Sequence, residues 1–163
     1  MSDTTYIERV RLAASRYADS ANPDGGWGLF AHGYSSIVNT AEVLAVLRTA
    51  SHQAGAPAVQ GGIRFLIQAT REHPLPKKKP GGRGEHTRYA GYGLLGLSEY
   101  ENAARQPDVA EAIEGCIRVL ERFARAKGGW PEMRGERPLS LFQKTTGIIA
   151  LQRVGAGSGL VQP

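Results

Sequence analysis

Apolar positions recur every three to four residues in six separate runs along this chain, the period of a helix packed on one face. In the first run Tyr6, Val10, Ala13, Ala14 and Tyr17 recur behind a cap at Ser2 or Asp3, and the Asn22-Pro23 pair stops it. The second spans about Ile37 to Thr49, capped by Ser35 or Ser36. Val38, Ala41, Val43, Leu44, Val46 and Leu47 make it apolar nearly all round, which predicts a buried helix. Ala54-Gly55-Ala56-Pro57 closes that hairpin, and Pro57 suits a first helical position. The third helix runs from about Ala58 to Arg71, with Ile63, Leu66, Ile67 and Thr70 on one face. Residues 72–84 hold three Pro, three Lys and three Gly and predict neither helix nor strand.

The fourth helix, about Thr87 to Tyr100, sets Gly91, Gly93 and Gly96 among Leu94, Leu95 and Leu97. Three glycines cost a helix about 3 kcal/mol relative to alanine, so this one predicts a neighbour whose backbone approaches closely. The fifth opens at Gln106-Pro107-Asp108 with Asp108 as cap. Its stripe is Val109, Ile113, Cys116, Ile117, Leu120 and Phe123, and Lys127-Gly128-Gly129 ends it. A charged loop over 132–138 leads to the sixth, about Leu139 to Val154, and 155–163 reads as a flexible tail.

The helices are punctuated by a repeated turn. Asn22-Pro23-Asp24-Gly25-Gly26-Trp27-Gly28 is its fullest form, Gly81-Gly82-Arg83-Gly84 a second copy, and Gly128-Gly129-Trp130-Pro131 a third. Glycine takes positive φ without steric cost, so such a turn ends a helix and reverses the chain. The indole that follows folds back over the helix end, which gives Gly25, Gly26, Trp27, Gly128, Gly129 and Trp130 structural roles. Ala45-Val46-Leu47, Leu95-Gly96-Leu97 and Ala150-Leu151-Gln152 hold matching places. The prediction is an all-α single domain of three helical hairpins, in repeat units of about 3–50, 57–100 and 108–153.

On these residues the chain resembles the α/α-toroid superfamily of terpenoid cyclases and protein prenyltransferases, whose squalene-cyclase-type repeats stack hairpins into a ring. The family repeat sets a small residue, an aromatic-Leu pair, a late Gln and Gly-x-Trp. Ala13-x-x-Arg16-Tyr17 with the first turn, Gly62-Ile63-Arg64-Phe65-Leu66, and Cys116-Ile117-Arg118-Val119-Leu120 with Gly128-Gly129-Trp130 are similar to it, over about residues 3 to 154. The late Gln is replaced by Ala21, Thr70 and Ala124, and the middle Trp by Arg83. A family ring closes with about twice as many hairpins, so the resemblance implies half a ring or an open arc.

The motifs that carry that family's chemistry are missing from this sequence. Asp3, Asp19, Asp24 and Asp108 are scattered, so neither Asp-x-Asp-Asp nor Asp-Asp-x-x-Asp is present. An Asp/Cys/His zinc set fails as well, because the only cysteine, Cys116, sits on an apolar stripe and reads as a core thiol. There is no P-loop and no nucleophile elbow. Three weak acid–base candidates remain. Glu42 lies in an apolar helix, either as an acid or cation ligand or as a partner of Arg48 or solvent. Glu85 and His86 mark a helix start, either as an acid–base pair or as a carboxylate favoured by the helix dipole.

The 163 residues carry a net charge of +5, which permits an anionic partner without demanding one. Lys77, Lys78, Lys79, Arg83 and Arg88 are the candidate anion or diphosphate site, or else a solubilising loop. No aromatic interleaves them, so no nucleic acid is expected. One cysteine excludes an internal disulfide. The start lacks a secretory pattern and no apolar run spans a bilayer, so a cytoplasmic protein without membrane span is expected. The chain thus reads as a non-catalytic repeat module, without cofactor or metal. It would bind a partner protein, a peptide or an apolar ligand such as an isoprenoid, or form a homodimer. The alternative is one half of a cyclase- or prenyltransferase-like enzyme acting on a prenyl diphosphate or polyprenyl substrate, completed by dimerisation or another chain.

Overall fold

The structure of the chain, a computed structural model, describes residues 3–30, 33–72 and 83–123 and the single positions 149 and 152. All its regular elements are helices: α1 (Asp3–Asp19), α2 (Ile37–Thr49), α3 (Pro57–Glu72), α4 (Arg83–Ser98), α5 (Glu101–Ala104) and α6 (Pro107–Phe123). The start of α1 and the end of α2 share one groove, so the two run antiparallel as a hairpin. α2 lies across α3 and α4, α3 also meets α6, and α4 has its largest contact with α6. α1, α3 and α6 therefore follow one another on one side, with α2 and α4 paired beside them.

Local chemistry explains the element ends. Ser36 has extended backbone and its hydroxyl accepts from the Asn39 N–H, capping α2. The other end of α2 closes with two bonds, Ser51 N–H to the Arg48 carbonyl and His52 N–H to the Leu47 carbonyl. That pattern needs a left-handed residue, and Ser51 supplies it at φ 67°, ahead of the predicted Gly55 turn. Pro57 opens α3 as expected.

Three boundaries differ from the sequence reading. α4 begins at Arg83, inside the stretch expected to be irregular, because only the prolines before it forbid helix. It stops at Ser98, and a four-residue turn, α5, follows where no element was expected. Asp108 is the second residue of α6 and not its cap. Pro107 occupies the first position, where a missing N–H costs nothing, and Asp108 Oδ1 accepts from the adjacent Val109 N–H. Six helices are thus described, but they are not the six predicted ones. The third turn and the helix over 139–154 lie outside the described residues, apart from helical, exposed Ile149 and Gln152.

The core joins Leu44 and Leu47 of α2, Leu66 of α3, Leu94 and Leu97 of α4 and Leu120 of α6, all fully buried. The glycines of α4 do what their cost implied. A β-carbon on Gly96 would lie 3.0 Å from the Ala41 Cα and 2.5 Å from Leu66 Cδ1. One on Gly93 would lie 2.7 Å from Thr70 Cγ2 and 3.2 Å from Cys116 Sγ. Glycine lets α4 sit against the α2 backbone, and close packing offsets the lost propensity.

Candidate functional site: the first helical hairpin

The turn between α1 and α2 is built as a rigid knot. Asp24 Oδ1 accepts from the Gly26 N–H and the Ser35 hydroxyl, and Asn22 donates through Nδ2 to the Gly33 carbonyl and Ser35 Oγ. Gly25 holds φ 86°, and a β-carbon there would lie 2.6 Å from the Gly61 carbonyl oxygen of α3. No other residue meets both demands. Trp27 is 3% exposed. Its indole N–H donates to the Tyr17 carbonyl in the last turn of α1 at 2.8 Å, and its backbone N–H donates to buried Thr40 at 3.0 Å. The indole thus covers a helix end and adds a donor to a carbonyl that the Ser20 N–H and hydroxyl also reach.

α1 departs from its predicted face. Positions 6, 10, 13 and 17 form one stripe, and 10, 14 and 18 a second beside it. Ala14 is buried and Val10 and Ala18 half-buried, while Tyr6, Ala13 and Tyr17 are exposed. The small residue that α1 buries is Ala14, not the Ala13 of the family-like pattern, because only one sector of α1 meets its neighbours.

The consequence is that, among the described residues, the exposed large apolar side chains concentrate on one hairpin. Among the described residues the exposed large apolar side chains are Tyr6, Ile7, Leu12, Tyr17, Leu29, Phe30 and Tyr34, and beyond them only Ile149. Phe30 is 76% exposed and Tyr34 fully so. Tyr6, Ile7 and Val10 of α1 face Val46 and Ala50 of α2 across a groove of about 510 Å³, with Arg11 at its edge. The signal was present in the sequence: two adjacent apolar stripes on α1 are more than a single neighbour can cover.

A larger cleft, about 760 Å³, lies among the ends of α2 and α4, α5 and the start of α6. Its chemistry is that of a solvated rim. Arg48 and Arg105 stand among Glu99, Glu101 and Glu114; Arg105 pairs with Glu101, and Glu114 with Arg118 at 3.4 Å. The Ser98 hydroxyl donates to the Leu95 carbonyl, so no base activates it. Tyr100 behind it donates to the Leu44 carbonyl at 3.4 Å, and burial, then the Glu99 charge, push its pKa up to about 12.

The remaining candidates do not converge. Glu42 is exposed on α2, away from both concavities. Arg88 is exposed on α4. Arg83, Glu85 and His86 fall in the first turn of α4, but their side chains lie outside the described part, as do Lys77, Lys78, Lys79, Gly128, Gly129 and Trp130. Cys116 is buried against Gly93, and burial pushes its thiol up to about 12. Among the described residues no group of His, Cys, Asp and Glu is placed to hold a metal ion, and no helix is long and apolar enough to cross a membrane. No family model, no curated protein and no solved structure matches this chain.

Proposed function

We propose that this chain is a non-catalytic helical-hairpin module that binds a partner protein through its first hairpin. One observation carries the reading: nearly all the exposed large apolar surface described falls within residues 6–34. Exposed large apolar side chains concentrated in one part of a chain mark a candidate interaction surface there. The knotted turn beneath it supports the same reading, since a surface held rigid by Trp27, Asp24 and Asn22 loses little entropy on binding. The stacking of α1, α3 and α6 beside α2 and α4 is compatible with half of an α/α toroid, and that architecture is part of the proposal.

The test is a photo-crosslinking amino acid placed at Phe30, at Tyr34 and, as control, at Glu114 in the native host. Crosslinks to a protein from the first two sites and not from Glu114 support the proposal. Equal yields from all three sites, or none from Phe30 and Tyr34, overturn it. Turnover of farnesyl diphosphate by the purified chain would overturn the non-catalytic part and favour the enzyme-half reading.

A further inference from the structure

We infer that Asp24 is a latent site of isoaspartate formation, and that the hydrogen-bonded turn around it is the lock that keeps the aspartate intact. The sequence supplies the reactivity. Of the four aspartates, Asp24 alone is followed by glycine; Thr4, Ser20 and Val109 follow the others. Glycine opens its nitrogen to attack because no side chain shields it. In the reaction the Gly25 backbone nitrogen attacks the carboxyl carbon of the Asp24 side chain. A nitrogen–carbon bond forms, and the carboxyl hydroxyl leaves as water with the amide proton. Water then adds back to the five-membered imide. Breaking the new bond to the side-chain carbonyl restores aspartate. Breaking the bond to the main-chain carbonyl leaves isoaspartate, of the same composition. Water is the only co-reactant, and Asp24 is exposed to it.

The fold opposes ring closure. The Gly25 N–H donates to the Asn22 carbonyl at 2.8 Å, closing a four-residue turn with Pro23 and Asp24 at its centre. Asp24 does not have positive φ, so the turn is of type I and Asp24 takes a ψ of about 0°. That angle eclipses the Gly25 nitrogen with Asp24's own nitrogen, whereas the imide ring needs it eclipsed with Cβ. The carboxylate is held as well. Asp24 Oδ1 accepts from the Gly26 N–H at 3.0 Å and from the Ser35 hydroxyl at 2.7 Å, and Asn22 Nδ2 donates to Ser35 Oγ at 2.9 Å. Gly25 is seated on the Gly61 backbone, where a β-carbon would lie 2.6 Å from the carbonyl oxygen, so its peptide has little room to turn. Isoaspartate adds one carbon to the main chain, which this seat cannot take while the turn stays closed. The reaction therefore waits for local opening of the knot.

The full chain is incubated near neutral pH, folded and in guanidinium chloride, and isoaspartate is located by enzymatic methylation and peptide mapping. In denaturant Asp24 should react first among the four aspartates. In the folded chain it should react at least about tenfold more slowly, since only the opened fraction is competent. Ser35→Ala removes one donor from Asp24 Oδ1 and should speed the folded reaction about fivefold. Should that variant lower the helical signal, Asn22→Ala is the second; it removes the bond to Ser35 Oγ and should speed the reaction too. Gly96→Ala acts on the contact of α4 with α2, away from the turn, and should leave the rate unchanged. Equal rates in the folded and unfolded chain, or no lead of Asp24 in denaturant, overturn the inference. So does a folded rate that neither turn variant raises. A Gly96→Ala rate matching that of Ser35→Ala also overturns it, because global unfolding and not the knot would then control the site. No partner enters the measurement, so its outcome stands apart from the binding reading above.

Discussion

Two glycine-to-alanine substitutions test the packing of α4 against α2. Gly115 and Gly96 both lie inside helices, α6 and α4. Alanine in a helix interior gains about 1 kcal/mol over glycine at each. At Gly115 nothing opposes the gain, because the nearest atom to a new β-carbon is Arg118 Nη2 at 3.9 Å. Gly115→Ala should therefore stabilise by about 0.5–1 kcal/mol. At Gly96 the new atom meets Ala41 Cα at 3.0 Å, which is backbone, and the fully buried Leu66 at 2.5 Å. Overpacking costs about 1–3 kcal/mol, and two obstructed directions place this site in the upper part of that range. After the propensity gain, Gly96→Ala should lose about 1–2 kcal/mol. Urea unfolding followed by far-UV circular dichroism reads the pair as a difference in midpoint at constant slope. A Gly96→Ala protein as stable as Gly115→Ala would refute the reasoning, since it would mean that α4 does not approach the α2 backbone.

Trp27→Ala should destabilise by about 3–5 kcal/mol, the range for a buried large aromatic. Trp27→Phe should fall between, keeping most of the apolar area while the Tyr17 carbonyl loses one donor and keeps the Ser20 N–H and hydroxyl, a loss of about 1 kcal/mol at most. An alanine variant within 1 kcal/mol of the native chain would show that the turn does not hold the hairpin. The Cys116 thiol is raised from 9.0 to about 12 by burial. Across that interval the unfolded thiol has ionised while the folded one keeps its proton, so the unfolded state binds fewer protons and stability falls as pH rises. Unfolding midpoints measured across it should decline, and less steeply in Cys116→Ala. Tyr100, raised from 10.0 to about 12, supplies a residual slope in both proteins. Identical slopes in the two proteins would contradict a buried Cys116.

Features that depend on a few neighbouring residues were legible in the sequence. The Ser36 cap and the limits of α2, Pro57 at the start of α3 and the indole folded over the end of α1 all follow from short-range geometry. So does the use of Gly96, because a helix that sacrifices propensity must receive something in return. The sequence by itself therefore determined an all-helical chain built around a glycine-tryptophan turn.

What only tertiary structure decided is which apolar surface becomes core. Both stripes of α1 satisfy the helical period, and the positions of α2 and α3 bury Ala14, half-bury Val10 and Ala18 and leave Tyr6 and Tyr17 exposed. The α2 helix likewise reads as apolar all round, yet Val46 and Ala50 are only half-buried and line a groove beside the start of α1. Periodicity records how much apolar surface a helix carries. Burial is shared between two elements, so the partner and its direction of approach determine which part of that surface is left for binding.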